Sequence, residues 1–148
     1  MKVYTTNFGE IEVNDETIID FPTGILGFPQ FRKYALLDVD ENSPLKWLQS
    51  IEEPGLSFVV TDPNLFKPDY TIDAWKKDLE DIKVTNAEDV LVLVLVTVPS
   101  DPLAMTANLK GPILINMATN LAKQLIVDNP EYDIKFRLLP DEMLQQVI

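Results

Sequence analysis

Residues 89–99 read DVLVLVLVTVP, and from Val90 to Val96 valine and leucine alternate with no polar residue between them. Valine favours extended backbone, and so short a run bounded by Asp89 and Pro99 predicts a strand rather than a helix. Successive side chains of a strand point to opposite faces, so this one is apolar on both. It must therefore be covered on both. One face belongs to the main core. The other needs a second cover, supplied by a helix predicted just before it or by a sheet that curls.

The rest of the chain predicts short elements to build around that strand. Eleven prolines are scattered as turn punctuation. Residues 2–6 and 10–13 flank Asn7-Phe8-Gly9 and read as a hairpin. Residues 17–21 read as a strand stopped by Pro22. Residues 21–31, FPTGILGFPQF, read as a loop whose Ile25, Leu26, Phe28 and Phe31 need dry surroundings. Strands are expected at 34–39, 47–51, 56–61, 102–109, 113–116 and 134–138. Residues 73–82 predict a helix, capped by Asp73, with Trp75, Leu79 and Ile82 on one face. Residues 121–127 fit a helix or a strand, the strand centred on 124–127. Residues 141–148 fit a short helix or a frayed end. About nine short strands and one or two short helices imply a mostly β fold. The expected form is an antiparallel, closed or nearly closed pseudo-barrel, capped by helix and built as one domain over residues 1–148.

Composition narrows the chemistry. A chain of 148 residues can bury a core without disulfides. It has neither cysteine nor histidine, which removes thiol nucleophiles, zinc–thiolate sites and the usual general base and metal ligand. The N-terminal stretch has no apolar core of a secretory signal, and no apolar run approaches the ~20 residues of a membrane helix. A soluble, cytoplasmic protein is expected. Acidic residues number 24 against 12 basic ones, a formal net charge of -12. Such a surface repels phosphates, so direct binding to nucleic acid or to a membrane is not expected. A basic protein partner is favoured, although an acidic surface also serves solubility alone.

The motif matches are weak. Asp38, Asp40 and Asn42 start like a calcium loop, but Ser43 and Gln49 stand where glycine and glutamate are required. The GILG of residues 24–27 lacks the helices and basic residues of nucleic-acid clamps. No phosphate-binding glycine motif occurs. Carboxylates abound, but at turns and strand ends rather than as a convergent pair. No catalytic residue, metal, cofactor or small-molecule substrate is therefore expected. The segment KWLQSIEEPGLSF is more suggestive. Trp47 and Leu48 fall on opposite faces of a strand, and an aromatic beside Gln49, Ser50, Glu52 and Glu53 suits a binding anchor with an acidic rim. Phe66 and Tyr70, in the proline-punctuated NLFKPDY, are further candidates to receive an amphipathic partner. A core tryptophan before a charged turn, and aromatics that cap a barrel end, account for the same residues structurally.

Five stretches together carry a resemblance: FPTGILGF, SPLKWLQSIEEPGLSFVVTDPNLFKPDY, VLVLVLVTVP, TANLKGPILIN and KQLIVDNPEY. In this order and spacing the chain resembles the bacterial flagellar assembly factor FliW family, from the N-terminal hairpin to about Arg137. The resemblance implies a mostly β pseudo-barrel. It also implies two protein partners: the RNA-binding translational regulator CsrA, whose repression of flagellin mRNA is relieved on binding, and flagellin. Members exchange one partner for the other, which suits a regulator of flagellum biogenesis and not an enzyme. The competing readings are a flagellin chaperone without a regulatory role and an enzyme built on carboxylates.

Overall fold

The computed structural model describes residues 1–38, 41–74 and 76–138. The chain forms β1 (Lys2–Thr5), β2 (Gly9–Glu12), β3 (Ile19–Asp20), β4 (Lys33–Asp38), β5 (Leu45–Ser50) and β6 (Ser57–Thr61). A short helix α1 (Lys76–Asp81) follows, then β7 (Val90–Thr97), β8 (Thr106–Ala107), β9 (Ile113–Asn116), β10 (Leu121–Gln124) and β11 (Phe136–Arg137).

β1 and β2 form a separate antiparallel hairpin, turned by Gly9 at a φ of +66°. The other strands run in the order β11-β8-β7-β6-β5-β4-β3-β10-β9, and β9 returns to pair with β7. That last pairing closes β3, β4, β5, β6, β7, β10 and β9 into a ring, the pseudo-barrel expected from the sequence. Closure leaves few free sheet edges. Every pairing is antiparallel except β3 with β10, which are parallel and share one residue pair, Leu121 with Asp20.

β7 explains the valine–leucine alternation. Leu93 is buried in the ring interior with Phe21, Ile25, Tyr34, Leu48, Val60, Ile113 and Ile115, and Leu91 and Leu95 pack against the same cluster. The valines point outward. Val90 and Val92 meet Ile82, Leu114 and Leu125 beneath α1, while Val94 and Val96 join a second core with Leu45, Tyr70, Met105, Leu109 and Tyr132. The wider leucines thus fill the interior, and two separate covers bury the valines. A third small cluster, Val3, Val13 and Ala35, seats the β1–β2 hairpin on the outer face of β4.

Several expected elements differ. The helix predicted over 73–82 spans only Lys76–Asp81; Leu79 and Ile82 still face the β9–β10 side, and Trp75 lies outside the described residues. Lys123 clamps this helix, its Nζ lying 2.8 Å from both Asp78 Oδ1 and Asp81 Oδ2. Residues 121–127 carry their strand at the start, Leu121–Gln124, rather than over 124–127, because β9 pairs there from Asn116 back to Ile113. In place of a strand over 102–109, a 3-10 turn at Pro102–Ala104 precedes the two-residue β8. The strand expected over 17–21 shrinks to Ile19–Asp20 behind a 3-10 turn whose Asn14 side chain caps it. Leu26, expected in a dry place, is 73% exposed, while its neighbour Ile25 is fully buried. Residues Val39 and Asp40 and the expected C-terminal helix at 141–148 lie outside the described residues.

Candidate protein-binding face

The residues singled out from the sequence lie on β5, in the turn after it and in the segment after β6, at different depths. On β5, Leu48 points into the ring and is fully buried, so Leu45, Trp47 and Gln49 point out. Trp47 is half-buried, covered edge-on by Phe8 from the hairpin tip with ring centroids 5.3 Å apart. Two residues along the same face, Leu45 enters the second core, against which Val59 and Phe66 pack and in which Tyr70 is buried.

Gln49 and Ser50 are both fully buried. Their polar atoms build the turn that follows. The Gln49 amide donates to the carbonyls of Ser50, Pro54 and Leu56 at 3.1–3.2 Å. Ser50 Oγ accepts from the backbone N–H of Glu52 at 3.1 Å and Glu53 at 2.9 Å. The hairpin locks onto the same turn: Thr6 N–H donates to Pro54 O at 3.0 Å, and Asn7 Nδ2 to Ser57 Oγ at 2.9 Å. Buried polar groups that are this well connected fix a single turn geometry. The Gln49 side-chain oxygen is the one buried side-chain polar atom left without a partner among the described residues.

The turn presents Glu52 and Glu53 at the surface, both exposed. They are not equivalent. Glu52 Oε1 accepts from the backbone N–H of Arg32 at 2.6 Å and Lys33 at 2.9 Å. These bonds, aided by the charges of Lys33 and Arg32, hold its carboxyl below the ordinary glutamate range despite a small opposing effect of burial. Glu52 therefore stays charged and ties the turn to the start of β4. Among the described residues the Glu53 carboxylate makes no such bond, and it stands exposed. Beneath them, burial and then the Glu52 charge push the Tyr34 phenol up to about 12, so Tyr34 stays neutral inside the ring.

Tyr70 and Phe66 sit lower on this face. The Tyr70 hydroxyl donates to Leu109 O at 2.7 Å, and its ring lies 4.6 Å from that of Tyr132. Burial, and then proximity to Tyr132, raise its pKa. Tyr70 is thus a pillar of the second core, with Phe66 half-buried beside it. The structure places Trp47, Glu52, Glu53 and Phe66 at or near the surface, and Gln49, Ser50 and Tyr70 beneath it.

The sequence reading missed the part the hairpin plays. Phe8 against Trp47 and Asn7 against Ser57 extend the aromatic and polar character of this face. The signal was an aromatic in the hairpin turn, where a purely structural turn would carry only small or polar residues. No group of three or more Asp or Glu positioned to hold a metal ion occurs among the described residues.

The family model described as FliW protein matches residues 2–138. A flagellar assembly factor FliW from Natranaerobius thermophilus is 41% identical over 143 residues, covering 96% of this chain and 95% of that protein. The flagellar assembly factor FliW of Leptospira interrogans is 42% identical over 140 residues, covering 94% and 93%. A crystal structure of the flagellar assembly factor FliW matches with a TM-score of 0.87 at 37% identity, over 95% of this chain and 98% of that one.

Proposed function

The chain belongs to the FliW family of flagellar assembly factors, and from that premise we propose that it acts in the cytoplasm by binding two proteins in exchange, the translational regulator CsrA and flagellin. Bound to this protein, CsrA no longer represses flagellin mRNA. Flagellin, while it remains in the cell, occupies the protein and leaves CsrA free to repress. The protein is a binding regulator in this scheme and performs no catalysis.

The observation that carries the reading is the charge of -12 on a chain of this family. A protein that grips RNA phosphates is basic where RNA lies. An acidic protein docked on it raises the negative potential there and repels RNA without filling the RNA site. The rigid turn supports the same reading. Glu52 and Glu53 form an acidic rim beside the half-exposed Trp47, an arrangement suited to a cationic surface with an apolar anchor point.

Titration calorimetry of the full chain against CsrA, alone and then with flagellin present, tests this. Tight binding that flagellin abolishes is expected. Binding of flagellin alone would reduce the protein to a chaperone. Binding of neither would remove the proposal. Glu53→Lys should weaken CsrA binding about tenfold with unchanged thermal unfolding, because the Glu53 carboxylate supports no turn hydrogen bond. Relief of repression should also weaken with salt, since charges farther apart than about 8 Å are screened at physiological ionic strength.

A further inference from the structure

We infer that the open edge of β4, at the seam of the ring, is a docking groove for an extended protein segment in which cationic and apolar side chains alternate. β3 covers only Lys33 and Tyr34 of β4, whereas β5 pairs with β4 from Tyr34 to Asp38. The backbone direction along β4 is fixed at two points. Lys33 O accepts from Ile51 N–H at 2.9 Å on the β5 side, and Arg32 O from Phe21 N–H at 2.7 Å on the β3 side. Strand alternation therefore turns the peptide groups of Leu36 and Asp38 away from β5, past the end of β3. Among the described residues no strand pairs with them there.

At Leu36 this edge borders a cavity of about 520 Å³ that reaches from β4 across to Met117 and Asn120 at the β9–β10 turn. Val13, Ile19 and Leu37 give it an apolar lining, and Met117 stands 53% exposed at its far side. Its charged lining residues are Glu12 and Glu16, with no lysine or arginine. Glu12 is met by the N-terminal ammonium at 3.2 Å. Glu16 has no ion pair among the described residues; its peptide carbonyl accepts instead from Asn120 Nδ2.

Peptide groups left unpaired among the described residues, an apolar lining and a rim with Glu16 beside the ammonium-paired Glu12 select one kind of occupant. A strand laid along β4 would bond to Leu36 and Asp38. Its alternate side chains would then reach the apolar lining or the glutamates. A lysine- or arginine-bearing strand matches the rim, and an acidic one is repelled. The groove is separate from the turn at Glu52 and Glu53, and its chemistry does not depend on which partners the family binds.

The test is an NMR titration of the isotope-labelled full chain with a capped five-residue peptide alternating lysine and valine, beside a glutamate–valine peptide of equal length. The cationic peptide should shift resonances of residues 12–19, 35–38 and 117–120. It should also slow amide exchange at Leu36 and Asp38 about tenfold at saturation, as strand addition requires. Glu12→Lys with Glu16→Lys should weaken binding about tenfold. Met117→Arg, which alters only the far side, should weaken it too and keeps the test informative if the double variant fails to fold. Equal binding of both peptides, shifts confined to other surfaces, unchanged exchange at Leu36, or no binding at millimolar peptide would each overturn the groove.

Discussion

β7 and β3 are strands of one ring, yet they represent opposite extremes of it. β7 runs eight residues, pairs with β6 on one edge and with β9 and then β8 on the other. Both of its faces are covered, by three different clusters. β3 runs two residues and meets β10 through one parallel pair. The seam is held by Ile19, Phe21 and Ala122 buried in the ring interior and by a few directed polar contacts. Asp20 N–H donates to Asn120 O at 2.9 Å. Asn120 itself adopts a φ of +59°, and its amide reaches across to Glu16 O at 2.5 Å. A barrel can thus be closed by long continuous pairing on one side and, on the other, by a two-residue strand whose buried side chains are supplemented by a few directed polar contacts. The second is local and leaves a groove.

Substitutions at the two places should separate accordingly. Leu93→Asp should abolish cooperative unfolding, because an unpaired carboxylate would enter the ring interior. Leu93→Ala should cost about 2–5 kcal/mol in chemical denaturation, the usual range for a cavity in a packed core. A cost under about 1 kcal/mol would show that the ring interior is not the main source of stability. At the seam, Asn120→Ala should cost about 1–2 kcal/mol, because alanine lacks the short polar side chain that makes left-handed backbone tolerable to asparagine and that bonds Glu16 O. Asn120→Gly should recover part of that loss, although both lose the bond to Glu16. Equal losses would mean that the side-chain bond, not the backbone conformation, matters there.

Two smaller effects probe the charged supports outside the ring. Hydrogen bonds with Asp78 and then Asp81 raise the pKa of Lys123, and the bond with Lys123 lowers that of Asp81. The clamp is therefore complete between the acid and alkaline limits. The contribution of Lys123 is full below its unfolded pKa near ~10.4 and fades as pH rises through its higher folded value. Lys123→Met should cost about 1 kcal/mol or less near neutrality, with helix α1 losing amide protection before the ring does. Loss of protection across the whole ring would instead make α1 part of its core. Glu52 works in the opposite sense. Its folded pKa is depressed, so its contribution is present above the unfolded value of ~4.3 and is lost as pH falls through the folded value. Glu52→Gln should lower stability at pH 7 by roughly 0.5 kcal/mol and make unfolding less sensitive to acid over that interval. An unchanged acid profile would mean that the Arg32 and Lys33 amides are satisfied without the charge.

The residues 90–96 were enough to require a central strand with two covers, because period-2 side-chain geometry leaves an all-apolar strand no exposed face. The same local logic placed the first hairpin, the strands around Trp47 and Phe58, and the turn at Glu52 and Glu53. It also set the acidic charge and removed thiol and imidazole chemistry. Tertiary contacts decided the rest. Residues 121–124, rather than 124–127, became a strand because Asn116 to Ile113 lie alongside them, a long-range pairing that no local pattern encodes. Gln49 and Ser50 looked like surface groups beside an acidic turn. Packing buries both, Ser50 on the inward side of β5 opposite Tyr34, and their polar atoms take on the structural task of holding the turn. The open edge of β4 exists only because β3 ends early and the ring closes elsewhere. A sequence fixes which faces are apolar and which residues turn the chain; which strand meets which, and where a gap is left between them, depends on the packing of all the elements at once.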